Sequence, residues 1–301
     1  MPTRRNLFLI VMLGALAYAA EGRALLDVTY GRAGGRDLKL DAFLCEGPKP
    51  SPAVIFIHGG GWLRGDKRQS ASTPVETVIL GSLKTAMQSA GISVISINYR
   101  LSDVAVYPAQ VDDVTRAVQF VRHQAMQWGL DPRRIAVMGP SAGGHLALWI
   151  GLHRDRRDPK AADPVEREST RVSAVVNYYG VTDFHLAQQH PDRYRNPAYR
   201  LLFGYAESDP LSKLTSEQMH DASPVTYIAP DNPPVFTAHG TGDTTVPVEQ
   251  AESLIAKLKE NGVATENYFL PGGNHGLTNA RPDWPDYQKA AFEFLKKYLL
   301  R

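Results

Sequence analysis

Hydrophobic residues along the chain fall into two patterns that alternate. Residues 53–57 (Ala-Val-Ile-Phe-Ile) are an unbroken apolar run, the pattern of a strand buried on both faces. Residues 92–97 predict another buried strand and 135–138 a further apolar run, and strands are also read at 172–179, 234–238 and 264–270. Between them the spacing changes to that of helices. Pro108 opens a helix predicted through 128, with Val111, Val114, Val118 and Val121 on one face. Others are expected at 74–90, immediately after 141, at 248–261 and at 287–300. Ahead of these units, 25–30 and 38–44 alternate apolar with polar around a Gly-rich turn at 31–35, a strand pair with one wetter face. Strands alternating with helices predict an α/β fold, a mostly parallel sheet wrapped on both faces in one domain over 25–301. Residues 154–171 read as an exposed loop. Residues 183–231, rich in proline and aromatics with weak periodicity, read as a small cap insertion covering the site.

The N-terminus adds a compartment. Arg4-Arg5, an apolar stretch and Ala17-Tyr18-Ala19 make a signal peptide over 1–19, cleaved after Ala19, and predict a secreted or periplasmic protein. The apolar run over 7–20 is short for a stable membrane span. Formal charge is +2, and without Arg4 and Arg5 it is about zero, so no basic field recruits nucleic acid. Cys45 is the only cysteine, which excludes an intramolecular disulfide and a cysteine-built metal cluster.

The candidate chemistry follows the strands. Gly139-Pro140-Ser141-Ala142-Gly143 stands between an apolar run and a helical one, the setting of a nucleophile on a tight strand-to-helix turn. A phosphate-binding turn would need G-x-G-x-x-G or a following Gly-Lys-Ser/Thr, and neither is present. After the run at 234–238 comes Asp243, and after 264–270 comes His275. The order Ser, Asp, His, with separations of 102 and 32 residues, lets the three meet only through folding. A serine hydroxyl needs a base within hydrogen-bond reach, here His275, and Asp243 would orient that imidazole. His58-Gly59-Gly60-Gly61 follows the first buried strand, where residues without Cβ can turn N–H groups toward an oxyanion. The oxyanion hole is assigned to the N–H groups of Gly60, Gly61 and Ala142, leaving open which two or three act. Trp62 is a candidate wall of the acyl pocket, with ordinary core as the competing reading.

Other residues compete for these roles. His58 reads as bracing the glycine turn, and His145, four residues after Ser141 on one helix, as facing inward. Asp183 and Asp221 could replace Asp243, but neither follows a clear buried strand ahead of His275. Asp112 and Asp113 read as a helix face, and His153 as surface or structural.

These motifs resemble the α/β-hydrolase esterases of the acetylxylan/feruloyl esterase (BD-FAE) type. The likeness includes His58-Gly59-Gly60-Gly61-Trp62 with Gly65-Asp66-Lys67, Asn98-Tyr99-Arg100-Leu101-Ser102, Tyr107-Pro108-Ala109-Gln110, the Ser141 turn, and His239-Gly240-Thr241-Gly242-Asp243 through Val248. It runs from about residue 25 to the C-terminus and is weakest over 183–231. Hormone-sensitive-lipase-like carboxylesterases and arylformamidases share the motifs. Pro140 departs from the small or acidic residue expected before the nucleophile. The resemblance implies a serine carboxylic ester hydrolase acting on short or aromatic acyl esters, with no metal or organic cofactor; together with the export signal it points to a secreted enzyme with acetyl or feruloyl groups on plant polysaccharide as candidate substrates. Two alternatives remain: an arylformamidase, amidase or peptidase of the same fold, and a non-catalytic binding relative. Oligomeric state is not legible.

Overall fold

The computed structural model describes residues 22–68, 79–277 and 286–301. The predicted signal peptide and the first part of the helix expected at 74–90 lie outside the described residues. Among the described residues eight strands form one sheet: β1 (Ala24–Ala33), β2 (Arg36–Phe43), β3 (Ser51–Ile57), β4 (Ser93–Ile97), β5 (Leu130–Pro140), β6 (Ala174–Tyr178), β7 (Val235–Gly240) and β8 (Thr265–Leu270). Their spatial order is β1-β2-β4-β3-β5-β6-β7-β8. The β1 and β2 pairings are antiparallel and every later pairing is parallel.

The unbroken apolar runs are the central strands because both their faces are covered. Along β3, Ala53, Ile55 and Ile57 enter one hydrophobic core, and Val54 and Phe56 the other. β5 divides likewise, Ile135 and Val137 from Ala136 and Met138. The first core is closed by α2 (Ala109–His123) and α4 (Ala142–Leu152), the second by α1 (Lys84–Ser89) and α9 (Asp286–Leu299). α8 (Glu249–Glu260) returns the chain from β7 to β8 and buries Leu254 and Leu258. The helix predicted over 108–128 is divided: α2 ends at His123, and α3 (Ala125–Trp128) forms a separate turn closed by Gly129 at φ +69°. Asp113 is not on a solvated face. Its carboxylate is buried and takes the Arg100 guanidinium at 2.7 Å and the Arg100 N–H at 2.8 Å.

Residues 183–231 are helical, with α5 (Phe184–Gln189), α6 (Ala198–Leu201), α7 (Ser216–Ala222) and two short 3-10 turns. Their local caps are legible in hindsight. Asp183 accepts from the His185 N–H, and Thr215 with Gln218 forms a reciprocal capping box. Phe184, Tyr194, Tyr199 and Leu202 join the first core, so this segment is packed into the domain. Since β3, β5, β6, β7 and β8 run parallel, their carboxyl ends share one edge, and the predicted site residues all follow those ends.

Candidate active site

Ser141 is the residue between β5 and α4, with φ +52° and ψ −118°. A non-glycine residue there is strained, and the surroundings hold it in place. Its N–H donates to the Tyr178 carbonyl at 2.8 Å, and its carbonyl accepts from His145 N at 2.9 Å. The flanking glycines are required by close packing. A Cβ on Gly143 would stand 2.0 Å from the Ile57 carbonyl oxygen, and one on Gly139 would stand 2.5 Å from the same atom. The turn is thereby pressed against the end of β3, where the glycine loop begins.

Ser141, His275 and Asp243 form a continuous hydrogen-bonded chain. His275 Nε2 lies 3.0 Å from Ser141 Oγ, and His275 Nδ1 lies 2.7 Å from Asp243 Oδ2. Asp243 Oδ1 accepts the N–H groups of Thr245 at 2.8 Å and Val246 at 2.9 Å. Burial alone would raise the Asp243 pKa, but hydrogen bonds from His239 and His275 outweigh it and hold the carboxyl well below the usual aspartate range. The group is therefore anionic at neutral pH. Since a carboxylate only accepts, His275 Nδ1 carries the hydrogen, which leaves Nε2 free to accept from the serine hydroxyl.

The glycine loop begins beside the Ser141 turn, where a Cβ on Gly143 would stand 2.7 Å from the His58 carbonyl oxygen. Gly60 has φ +99° and Gly61 +62°, and a Cβ on Gly60 would lie 2.0 Å from the Arg64 carbonyl oxygen. Among the described residues, no acceptor takes the N–H of Gly60, Gly61 or Ala142. Ala142 N–H also lies at the N-terminus of α4, where the backbone dipole favours negative charge.

His58 and His145 brace this site. His58 Nδ1 bonds the Gly59 carbonyl at 2.8 Å, and its ring stacks on Tyr99, whose hydroxyl donates to the His58 carbonyl. His145 accepts from Trp62 Nε1 at 3.2 Å and, through Nε2, donates to the Ala222 carbonyl at 2.8 Å. Burial lowers both imidazole pKa values to about 4, so both are neutral at pH 7.

Trp62 departs from the predicted pocket wall. It is 2% exposed, and its indole is enclosed by His145, Phe184 and Tyr199, so it belongs to the core and braces the glycine loop. The competing acids are engaged elsewhere: Asp183 caps α5, and Asp221 accepts the Tyr107 and Tyr227 hydroxyls. Two residues given no role of their own from the sequence lie against Asp243 and His275. His239 Nε2 is 3.4 Å from Asp243 Oδ2, and the Tyr179 ring packs edge-on to His275 at 4.8 Å with φ +41°. His239 had one available signal, its position just ahead of the acid on a buried strand; Tyr179 had none.

A cleft of about 290 Å³ opens beside Asp243 and is bounded by Asp192, Arg193, Arg195, Thr244 and Pro247. A larger cavity of about 640 Å³ lies against Trp149 and His153, past the far end of α4, and none of the triad residues line it. No group of metal-ligating side chains is present among the described residues, and no helix among them is long and apolar enough to cross a membrane.

The BD-FAE family model matches residues 40–258, from β2 through the glycine loop, Ser141 and Asp243 into α8. The chain is a BD-FAE family member. Among curated proteins it is 32% identical to the probable carboxylic ester hydrolase LipM of Mycobacterium tuberculosis, over 81% of this chain and 52% of that protein. It is also 32% identical to the esterase LipQ of the same organism, over 86% of this chain and 58% of the relative. The chain thus spans little more than half the length of these relatives. Among solved structures, a truncated carbohydrate esterase from gut microbiota superposes with TM-score 0.76 at 25% identity, covering 95% of this chain and 99% of that one. An acetyl ester-xyloside bifunctional hydrolase from Caldicellulosiruptor lactoaceticus gives 0.71 at 28% identity, covering 87% and 88%. The BD-FAE member therefore has the α/β-hydrolase fold expected from its motifs.

Proposed function

We propose that this chain is a serine carboxylic ester hydrolase, with Ser141, His275 and Asp243 as nucleophile, base and orienting acid. The observation that carries the reading is the hydrogen-bonded line Asp243–His275–Ser141 beside backbone N–H groups that no described acceptor takes. Ser141 Oγ attacks the ester carbonyl carbon while its proton passes to His275 Nε2. The carbonyl oxygen becomes an oxyanion held by the N–H groups of Gly60, Gly61 and Ala142. As the tetrahedral centre collapses, the alcohol leaves with the proton from His275, and the acyl group stays on Ser141. Water then attacks with the same base, and the carboxylic acid departs.

Short or aromatic acyl groups, including acetyl or feruloyl groups on plant polysaccharide, are the proposed substrates. The family match and the structural likeness to an acetyl ester-xyloside hydrolase support this choice. We further propose export through residues 1–19, to be read from the N-terminus of the mature protein, and a covering role for 183–231, which supplies Asp192, Arg193 and Arg195 to the cleft beside Asp243.

The test is initial rates on p-nitrophenyl acetate, butyrate and octanoate, methyl ferulate, acetylated xylan and N-formylkynurenine, beside Ser141→Ala. Acetylated xylan or methyl ferulate leading the panel supports the polysaccharide reading, whereas the formyl substrate leading moves the chain to amide chemistry. Wild-type turnover by folded Ser141→Ala sinks the nucleophile assignment.

A further inference from the structure

We propose that His239 is a positioning residue for the acid, fixing the Asp243 carboxylate in the orientation that serves His275; this rests on the triad reading above. His239 stands at the carboxyl end of β7, fully buried. Its Nε2 is 2.8 Å from the Val246 carbonyl oxygen, which can only accept, so Nε2 carries the hydrogen. The same nitrogen is 3.4 Å from Asp243 Oδ2. Residues 243–246 form a closed turn: Val246 returns its N–H to Asp243 Oδ1, while its carbonyl and Asp243 Oδ2 both face one imidazole N–H. Among the described residues His239 Nδ1 has no hydrogen-bond partner, so the ring's polar contacts are with the acid turn alone.

This arrangement answers a mechanical problem. A carboxylate turns about its own axis unless both oxygens are held. The N–H groups of Thr245 and Val246 hold Oδ1. Among the described residues Oδ2 otherwise has only His275, whose loop follows β8 and whose ring must reorient its charge during the reaction. His239, its N–H anchored on the Val246 carbonyl, adds a second polar contact to Oδ2 at 3.4 Å from a rigid strand. Tyr179 packs edge-on to both imidazoles, 4.8 Å from His275 and 6.5 Å from His239. The titratable groups facing this cluster are Asp243, His275, Tyr179 and Tyr199; the last feels the Asp243 charge, and Glu249 beside Tyr194 is the next acid outward.

The experiment compares His239→Leu, His239→Gln and His239→Asn with wild type and Asp243→Asn. Active sites are counted with a fluorophosphonate, and kcat and KM on p-nitrophenyl acetate are measured across pH. His239→Leu is expected to lower kcat per active site roughly tenfold, the low end of what a hydrogen bond to a charged group is worth, with KM unchanged. The acidic limb of the profile should move upward, because Oδ2 then turns more of its charge to His275. Gln, whose amide reaches the Nε2 position, should restore both values, and Asn, which reaches only the Nδ1 position, should not. If the Leu variant fails to fold, the Gln–Asn pair decides alone: equal per-site rates and profiles overturn the proposal. A loss in His239→Leu that vanishes per titrated site, with an unmoved pH limb, also overturns it. Should Asp243→Asn keep wild-type activity, the triad reading itself fails; an inactive Asp243→Asn beside a normal His239→Leu sinks only the role given to His239.

Discussion

Asp243→Asn is the sharpest test of the acid because of what surrounds its carboxylate. Among the described residues three N–H donors converge on it, Thr245 and Val246 on Oδ1 and His275 on Oδ2, and His239 Nε2 stands 3.4 Å from Oδ2. An asparagine has one oxygen and one NH₂ group, so either orientation sets a donor against donors. If the amide nitrogen takes the Oδ2 position, His275 can accept only by moving its hydrogen to Nε2, and that hydrogen then points at Ser141 Oγ. The base is lost although every heavy atom keeps its place. If the amide turns over, the donors of Thr245 and Val246 are opposed instead and the turn loosens. Loss of the correct tautomer in a serine protease triad costs about 10⁴ in kcat, which at ~1.36 kcal/mol per decade is roughly 5.5 kcal/mol of transition-state stabilisation. A similar loss is expected here, measured as kcat on p-nitrophenyl acetate with circular dichroism confirming the fold. A folded variant within tenfold of wild type would refute the assignment. Stability has its own signature. The folded pKa of Asp243 is depressed, so its contribution is fully present above the ordinary value of 3.8 and is lost as pH falls through the folded value. Wild type should therefore lose stability below about pH 4 more steeply than Asp243→Asn, a difference readable in urea midpoints across acid pH.

Gly143→Ala should cost at least 1–3 kcal/mol, the range for overpacking. Its Cβ meets the Ile57 and His58 carbonyl oxygens at 2.0 and 2.7 Å, and neither backbone atom can yield without separating β3 from the nucleophile turn. Urea unfolding beside Gly81→Ala, where an added Cβ meets nothing within 4 Å among the described residues, checks this, and equal stability would refute the packing argument. Trp62→Phe should leave His145 Nδ1 without its donor and destabilise by about 1–3 kcal/mol. Because it also loosens the glycine loop, kcat should fall more than KM rises, and a KM effect alone would return Trp62 to the pocket wall.

How much of this was written in the sequence depends on whether the signal was local. Mostly apolar runs marked β3 to β7 because burial on both faces leaves few polar positions, among them Ser96, Asn177 and Thr237. The Ser141 turn was readable because its glycines and the helix after it are adjacent in the chain. The order of Asp243 and His275 followed from strands that parallel topology must align. What failed was orientation. Trp62 could face substrate or core, and the choice belongs to His145, Phe184 and Tyr199, 83 or more positions away. Asp113 read as part of a helix face, and its buried pairing with Arg100, which reaches it from the turn after β4, had no local signal. His239 was visible in its motif, but its approach to Asp243 depends on how 240–246 closes, which no periodicity reports. The helices of 183–231 are short and draw their stability from packing against the first core rather than from their own pattern.

The bridge through His145 joins three parts that evolution would otherwise change separately: the nucleophile helix, the glycine loop through Trp62, and α7 through Ala222. The link to α7 ends on a carbonyl oxygen, which every amino acid provides. Side chains of 183–231 outside the core set of Phe184, Tyr194, Tyr199 and Leu202 can thus vary without touching this link, which the main chain carries. A graft that exchanges this segment between relatives should keep its catalytic partner in register if the carbonyl at position 222 returns to the same spot, whatever residue carries it.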